Sequence, residues 1–141
     1  MGFSLVAAFA VIGVTILISI EVLTGAILPV LTDFDDSYEE MIERKIDRTQ
    51  TKINITNVST SVNGSNYDYN ITVENAGSIT LNTADFIILI NGTKQQFFCL
   101  DPYLYPKKNS YFNVYNLSGS GTKLLKVITE NGISDYYQYI V

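Results

Sequence analysis

Histidine and tryptophan are missing from this chain of 141 residues, and cysteine occurs once. Without histidine, the commonest general base and metal ligand is gone, and with it most triad arrangements. A single cysteine, Cys99, permits no intramolecular disulfide and no cysteine-built metal site. It lies in the apolar stretch Phe97-Phe98-Cys99-Leu100. Two readings stay open for it: a buried small hydrophobe, as free cysteines usually are, or a thiol used between molecules. Basic residues are also scarce, 9 against 14 acidic ones, for a net charge of −5. Neutralising phosphates needs clustered Lys and Arg, so nucleic acid is excluded as a partner. No phosphate-binding or dinucleotide glycine motif occurs. The carboxylates beyond residue 52, namely Asp68, Glu74, Asp85, Asp101, Glu130 and Asp135, are too sparse to suggest a catalytic pair. The expectation is a protein that is not an enzyme and takes no cofactor or metal.

Charge is missing altogether from Phe3 to Ile20, and Glu21 is the only charged residue before Asp33. Eighteen uncharged residues at ~1.5 Å each make a helix of roughly 27 Å, close to the hydrocarbon thickness of a bilayer. A cleaved signal peptide would have a basic n-region and a shorter apolar core. The run is therefore read as an uncleaved single-pass anchor, segment 1–31, with Pro29 marking a kink or an end. If the span covers Phe3 to Ile20, Glu21 reaches the headgroups. If it is shifted towards Leu28, Glu21 is a candidate for intramembrane pairing with a cationic neighbour.

Segment 32–52 reads as an acidic helical connector. Ser37 and Glu40 fit a capping box, and Phe34, Tyr38, Met41 or Ile42, and Ile46 recur at helical spacing. Six acids and no base between Asp33 and Glu43 give this flank no reason to stay in the cytoplasm. From Ile53 the period drops to two. Ile53–Val58, Tyr67–Val73, Ala84–Ile90, Gln95–Leu100, Tyr111–Leu117, Thr122–Thr129 and Ile133–Val141 are expected strands, separated by turn signals such as Asn63-Gly64, Asn91-Gly92 and Asn131-Gly132. Ala84 to Ile90 is a continuous apolar run of the kind that crosses a core. Seven strands at this spacing predict that 53–141 is an all-β, immunoglobulin-like antiparallel β-sandwich.

Two resources stand out. Ten tyrosines include the pairs Tyr67/Tyr69, Tyr103/Tyr105, Tyr111/Tyr115 and Tyr137/Tyr139, each spaced to share one strand face. They read either as packing at the core edge or as a rigid amphipathic surface for protein or glycan. Tyr67, Tyr69, Tyr103, Tyr105, Tyr137 and Tyr139 are the partner-binding candidates. The C-terminal strand Tyr136–Val141 is a candidate edge for pairing between subunits, as in a homodimer. The second resource is Asn-X-Ser/Thr, at Asn54, Asn57, Asn63, Asn70, Asn91 and Asn116. Chance predicts about two such triplets in this composition, so the excess marks all six as candidate glycosylation sites on an exported domain.

The layout also resembles a known family. Met-Gly-Phe-Ser-Leu-Val-Ala-Ala-Phe-Ala-Val-Ile-Gly-Val at the start, then a short acidic helix, then Val73-Glu-Asn75-Ala-Gly77-Ser-Ile-Thr-Leu81 and Ile90-Asn-Gly92, look like the archaeal flagellar (archaellum) accessory protein F family. The related accessory protein G is a close second. The resemblance covers nearly the whole chain. It implies a non-catalytic motor part with one membrane helix and an immunoglobulin-like domain in the pseudoperiplasm. That domain would bind the surface-layer protein, with accessory protein G as a further partner, and act as a static anchor or stator. The rival expectations are an archaellin-like or pilin-like filament subunit, suggested by Gly2-Phe3, and a general surface glycoprotein or adhesin. Against the filament reading, Ala7 stands where an acid is expected.

Overall fold

The computed structural model describes residues 2–141; Met1, the first residue of the expected anchor segment, lies outside them. The chain forms two compact units, one up to Glu43 and one from Arg44 to Val141.

The uncharged N-terminal run folds as α1 (Gly2–Val22), followed by a five-residue π turn (Leu23–Ile27) and α2 (Leu28–Gln50). Among the described residues, this is the one helix long and apolar enough to cross a membrane, with a mean hydropathy of 2.5 over its apolar stretch. The hydroxyls of Thr15, Ser19 and Thr24 donate to the carbonyls of Ile12, Thr15 and Ile20, so these polar groups are satisfied within the helix. Pro29 neither ends the helix nor breaks it, because the π turn precedes it. Leu28 donates its N–H to Leu23 O, five residues back, and the widened turn relieves the carbonyl that a proline ring would strike. Ser37 is not a cap either. It stands inside α2 and donates to Asp33 O at 2.7 Å, since an uninterrupted helix has no orphan N–H groups for it to satisfy.

The second unit is a β-sandwich. Its strands are β1 (Ile53–Asn63), β2 (Asn66–Asn75), β3 (Leu81–Asn82), β4 (Ile87–Ile90), β5 (Thr93–Gln95), β6 (Phe98–Cys99), β7 (Tyr103–Leu104), β8 (Asn109–Leu117), β9 (Thr122–Ile128) and β10 (Ser134–Ile140). One sheet runs β1-β2-β8-β6 and the other β10-β9-β4-β5, with β3-β7 a small third ladder. Every pairing is antiparallel. The expected strand Gln95–Leu100 is divided between the sheets: β5 ends on one and β6 joins the other. Ala84 begins no strand, because Asn82 caps a 3₁₀ turn over Thr83–Asp85, accepting from the Ala84 N–H.

Two bulges keep the apolar residues inside. Ile53, Ile55 and Val58 break the alternation of a regular strand, and the register shift between Ile55 and Asn57 restores it. The pairing of β2 with β8 shifts between Tyr67 and Tyr69, where Asn116 turns to φ 62 and gives its N–H to Asp68. The core between the sheets holds Ile71, Val73, Leu81, Ile88, Leu104, Phe112, Leu125 and Val127, all fully buried. Phe112 stacks on Phe86 and takes the edge of Phe97, each at 5.3 Å between ring centres.

Candidate interaction surfaces

The two sheets present unlike outer faces. Cross-strand partners place Asn54, Asn57, Ser59, Ser61 and Asn63 of β1 opposite Glu74, Thr72, Asn70, Asp68 and Asn66 of β2, all on the outside of the first sheet. That face is polar. On the second sheet, Leu125, Val127, Ile88 and Ile90 point inward, which leaves Leu124, Ile128, Ile87 and Leu89 outward, with Tyr136 and Ile140 of β10. The run Ile87–Ile90 therefore does not sit wholly in the core, as its composition suggested. Half of it faces out. Lys126 lies over the Tyr136 ring at 4.9 Å, and that cation holds the Tyr136 phenol below its usual pKa. Asp135 of the edge strand β10 reaches β1 and accepts the Ile55 N–H at 2.7 Å.

The tyrosine candidates separate. Tyr103 and Tyr105 are 52% and 57% exposed, their rings 6.5 Å apart and tilted at 52°. Leu100 beside them is 80% exposed, and Phe98 is exposed too. The backbone beneath is held from within. Asp101 O accepts from Thr83 Oγ1 and Cys99 Sγ, and Asp101 Oδ2 accepts from Ser110 Oγ at 2.9 Å. Two shallow grooves flank Pro102, one of about 410 Å³ along Phe97 to Leu100, the other of about 350 Å³ along Tyr103, Tyr105, Lys108 and Asn109. Cys99 is half-buried and packs against the core.

Tyr69 and Tyr139, by contrast, are 2% and 8% exposed and meet edge to face inside the sandwich at 5.6 Å. Both are withdrawn from the partner surface, because their strand parity turns them inward with Ile71 and Leu125. Neither hydroxyl has a hydrogen bond of normal geometry, and burial, the largest cause, raises the pKa of both phenols. Tyr67 and Tyr137 are half-buried beside them and pack on the same core. Glu21 stands on α1 just before the π turn, where the Thr24 hydroxyl also approaches its carbonyl.

Sequence reasoning passed over the residues that organise one end of the sandwich. Asn75 is fully buried yet fully used: its Nδ2 donates to Ile79 O and Leu104 O, and its Oδ1 accepts the Gly77 N–H. Gly77 and Ser78 donate in turn to Lys52 O and Gln50 O, tying the end of α2 to the β2–β3 loop. Asn131 adds a bond to Thr51 Oγ1 at 2.8 Å. The available signal was Val73-Glu-Asn75-Ala-Gly77, whose asparagine and glycine have this structural use.

Among the described residues, no group of three or more metal-ligating side chains comes together. No protein-family model matches the chain, and no curated protein is found to match its sequence. A solved structure does match: the archaellum periplasmic stator protein FlaG from Sulfolobus acidocaldarius, at a TM-score of 0.55. In fold, this chain is similar to an archaellum stator protein. The match takes in 63% of this chain and 99% of FlaG at 16% sequence identity, so the likeness is one of fold. It accords with the β-sandwich expected from the strand pattern, and with the accessory protein F and G resemblance on which the sequence converged.

Proposed function

We propose that this chain is a non-enzymatic accessory subunit of the archaellum motor, an anchoring or stator protein held in the cell membrane by one helix. The observation that carries the reading is the stator-like sandwich behind an apolar helix long enough to span a bilayer. In this reading segment 1–31 anchors, 32–52 connects, and 53–141 works outside the cell, beneath the surface layer. Its partners are the surface-layer protein and accessory protein G. The mechanical argument is direct: a lone membrane helix resists lateral load poorly, whereas a domain fixed to a rigid outer lattice can react torque.

Contact with the surface-layer protein falls to the exposed rings of Tyr103 and Tyr105 with Phe98 and Leu100, which offer a large apolar area on a braced backbone. The test is binding of the detergent-solubilised chain to purified surface-layer protein by interferometry. Tyr103→Ala with Tyr105→Ala should weaken it at least tenfold while leaving the melting temperature in place. Binding that is absent, or indifferent to both substitutions, rejects this assignment. Recovery of the chain with sheared filaments rather than with membranes rejects the stator reading itself.

A further inference from the structure

We propose that Asn54 and Asn57 carry N-linked glycans and that Asn70 does not, so that the outer face of the β1-β2-β8-β6 sheet is sugar-coated at its β1 side. This rests on the outward placement of the sandwich argued above. Five of the six sequons map to that one sheet: Asn54, Asn57 and Asn63 on β1, Asn70 on β2 and Asn116 on β8. Only Asn91, at the β4–β5 turn, belongs to the other. The bulge after Ile55 puts Asn54 and Asn57 on the same outer face, opposite Glu74 and Thr72, although two residues lie between them and a regular strand would turn them to opposite faces.

Glycosylation takes place at the side-chain nitrogen. Nδ2 attacks the anomeric carbon of a lipid-diphosphate-linked oligosaccharide, supplied in the membrane. The new C1–Nδ2 bond forms as the C1–O bond to the diphosphate breaks. The electron pair leaves with the lipid diphosphate, and one amide proton passes to the transferase. An acceptor therefore needs a reachable, uncommitted Nδ2. Asn54 and Asn57 are exposed on an edge strand, and among the described residues their amides make no hydrogen bond. Asn70 is the opposite case: it is half-buried on a central strand, and its Nδ2 donates to Asn113 Oδ1 across the ladder at 2.8 Å. Asn63 is intermediate, since its Nδ2 donates to Asp68 Oδ2 at 3.0 Å.

The placement also has a physical use. As an edge strand, β1 invites pairing with another chain beyond the point where Asp135 takes the Ile55 N–H, and bulky sugars on it block that approach. The apolar outer face of β10-β9-β4, with Leu89, Leu124 and Tyr136, has a sequon only at its rim, where Asn91 Oδ1 accepts the Leu124 N–H, and its strands carry none, which leaves them bare for protein contact.

The test is site-resolved mass analysis of the full chain purified from its native membrane. Asn54→Gln and Asn57→Gln should each remove one glycan mass, and Thr56→Ala and Ser59→Ala should do the same while keeping the asparagines. Asn70→Gln should remove none. Unmodified Asn54 and Asn57, or a glycan on Asn70, overturns the proposal. Orientation is read separately, by labelling Ser120→Cys in a Cys99→Ser background with a membrane-impermeant maleimide on intact cells. Labelling without glycans sinks the glycan proposal alone; no labelling sinks the outward placement with it.

Discussion

Replacing Gly77 by alanine should loosen the end of α2 from the sandwich. The backbone of Gly77 is not left-handed, so its conformation alone would accept any side chain. Space is the constraint. A Cβ at this position would lie 2.3 Å from Gln50 O and 2.7 Å from Lys52 N, both backbone atoms that cannot swing aside. Ordinary contact lies about 1 Å farther out. A retreat of that size stretches the Gly77 N–H bond to Lys52 O and the Ser78 N–H bond to Gln50 O, now 2.9 and 3.0 Å, to about 4 Å and beyond use. Two net hydrogen bonds and the exposure of their partners to poor burial cost about 2–4 kcal/mol. For a domain of this size that lowers the melting temperature by about 10–25 °C. The assay is thermal unfolding of the full chain in detergent, followed through its tyrosine near-ultraviolet dichroism. Gly64→Ala is the control: Gly64 is left-handed at φ 64 but has no atom within 4 Å of the added carbon, so its cost is strain of about 1–2 kcal/mol. A Gly77→Ala protein that melts within a few degrees of the parent, and no lower than the control, refutes the close-approach argument.

Asn75→Ala leaves the Ile79 and Leu104 carbonyls and the Gly77 N–H without their side-chain partner; urea unfolding should show a loss of about 3–5 kcal/mol, and under 1 kcal/mol would refute the hub. Tyr69→Phe deletes a buried hydroxyl that has no hydrogen bond of normal geometry, so the same assay should register no loss and a gain of up to about 1 kcal/mol; a loss of about 1 kcal/mol or more would mean the hydroxyl is in use, with Tyr139 as its neighbour. Burial raises the Tyr69 and Tyr139 pKa values above the ordinary tyrosine range. The folded state thus holds phenolic protons that the unfolded chain releases. Their contribution is fully present below about pH 10 and is lost as pH rises beyond it. Alkaline unfolding, read by tyrosinate absorbance, should begin above about pH 10 and shift upward when both residues are replaced by phenylalanine.

Much of the architecture was legible because it is local. Eighteen uncharged residues make a membrane-length helix by composition alone, and Asn-Gly turns between alternating runs mark strands without knowledge of what they pair with. The absence of histidine and the poverty of cysteine bounded the chemistry in the same way. Where the reading was short of the structure, the missing information was long-range. Spacing put Tyr67/Tyr69 and Tyr103/Tyr105 on shared faces, but parity does not say which face looks inward. Register with β8 and β9 buries Tyr69 and Tyr139, while a braced, irregular segment leaves Tyr103 and Tyr105 in solvent. The run Gln95–Leu100 looks like one strand, and only the closing of two sheets around Phe112 divides it. Pro29 promised a break that a π turn absorbed. Residue order alone was enough for the membrane-length apolar helix, the β class and the turn positions, because each depends on neighbours a few residues apart. The tertiary structure alone decided which tyrosines are surface, why Gly77 must be glycine, and that five sequons share one sheet, because each depends on backbone brought together across tens of residues.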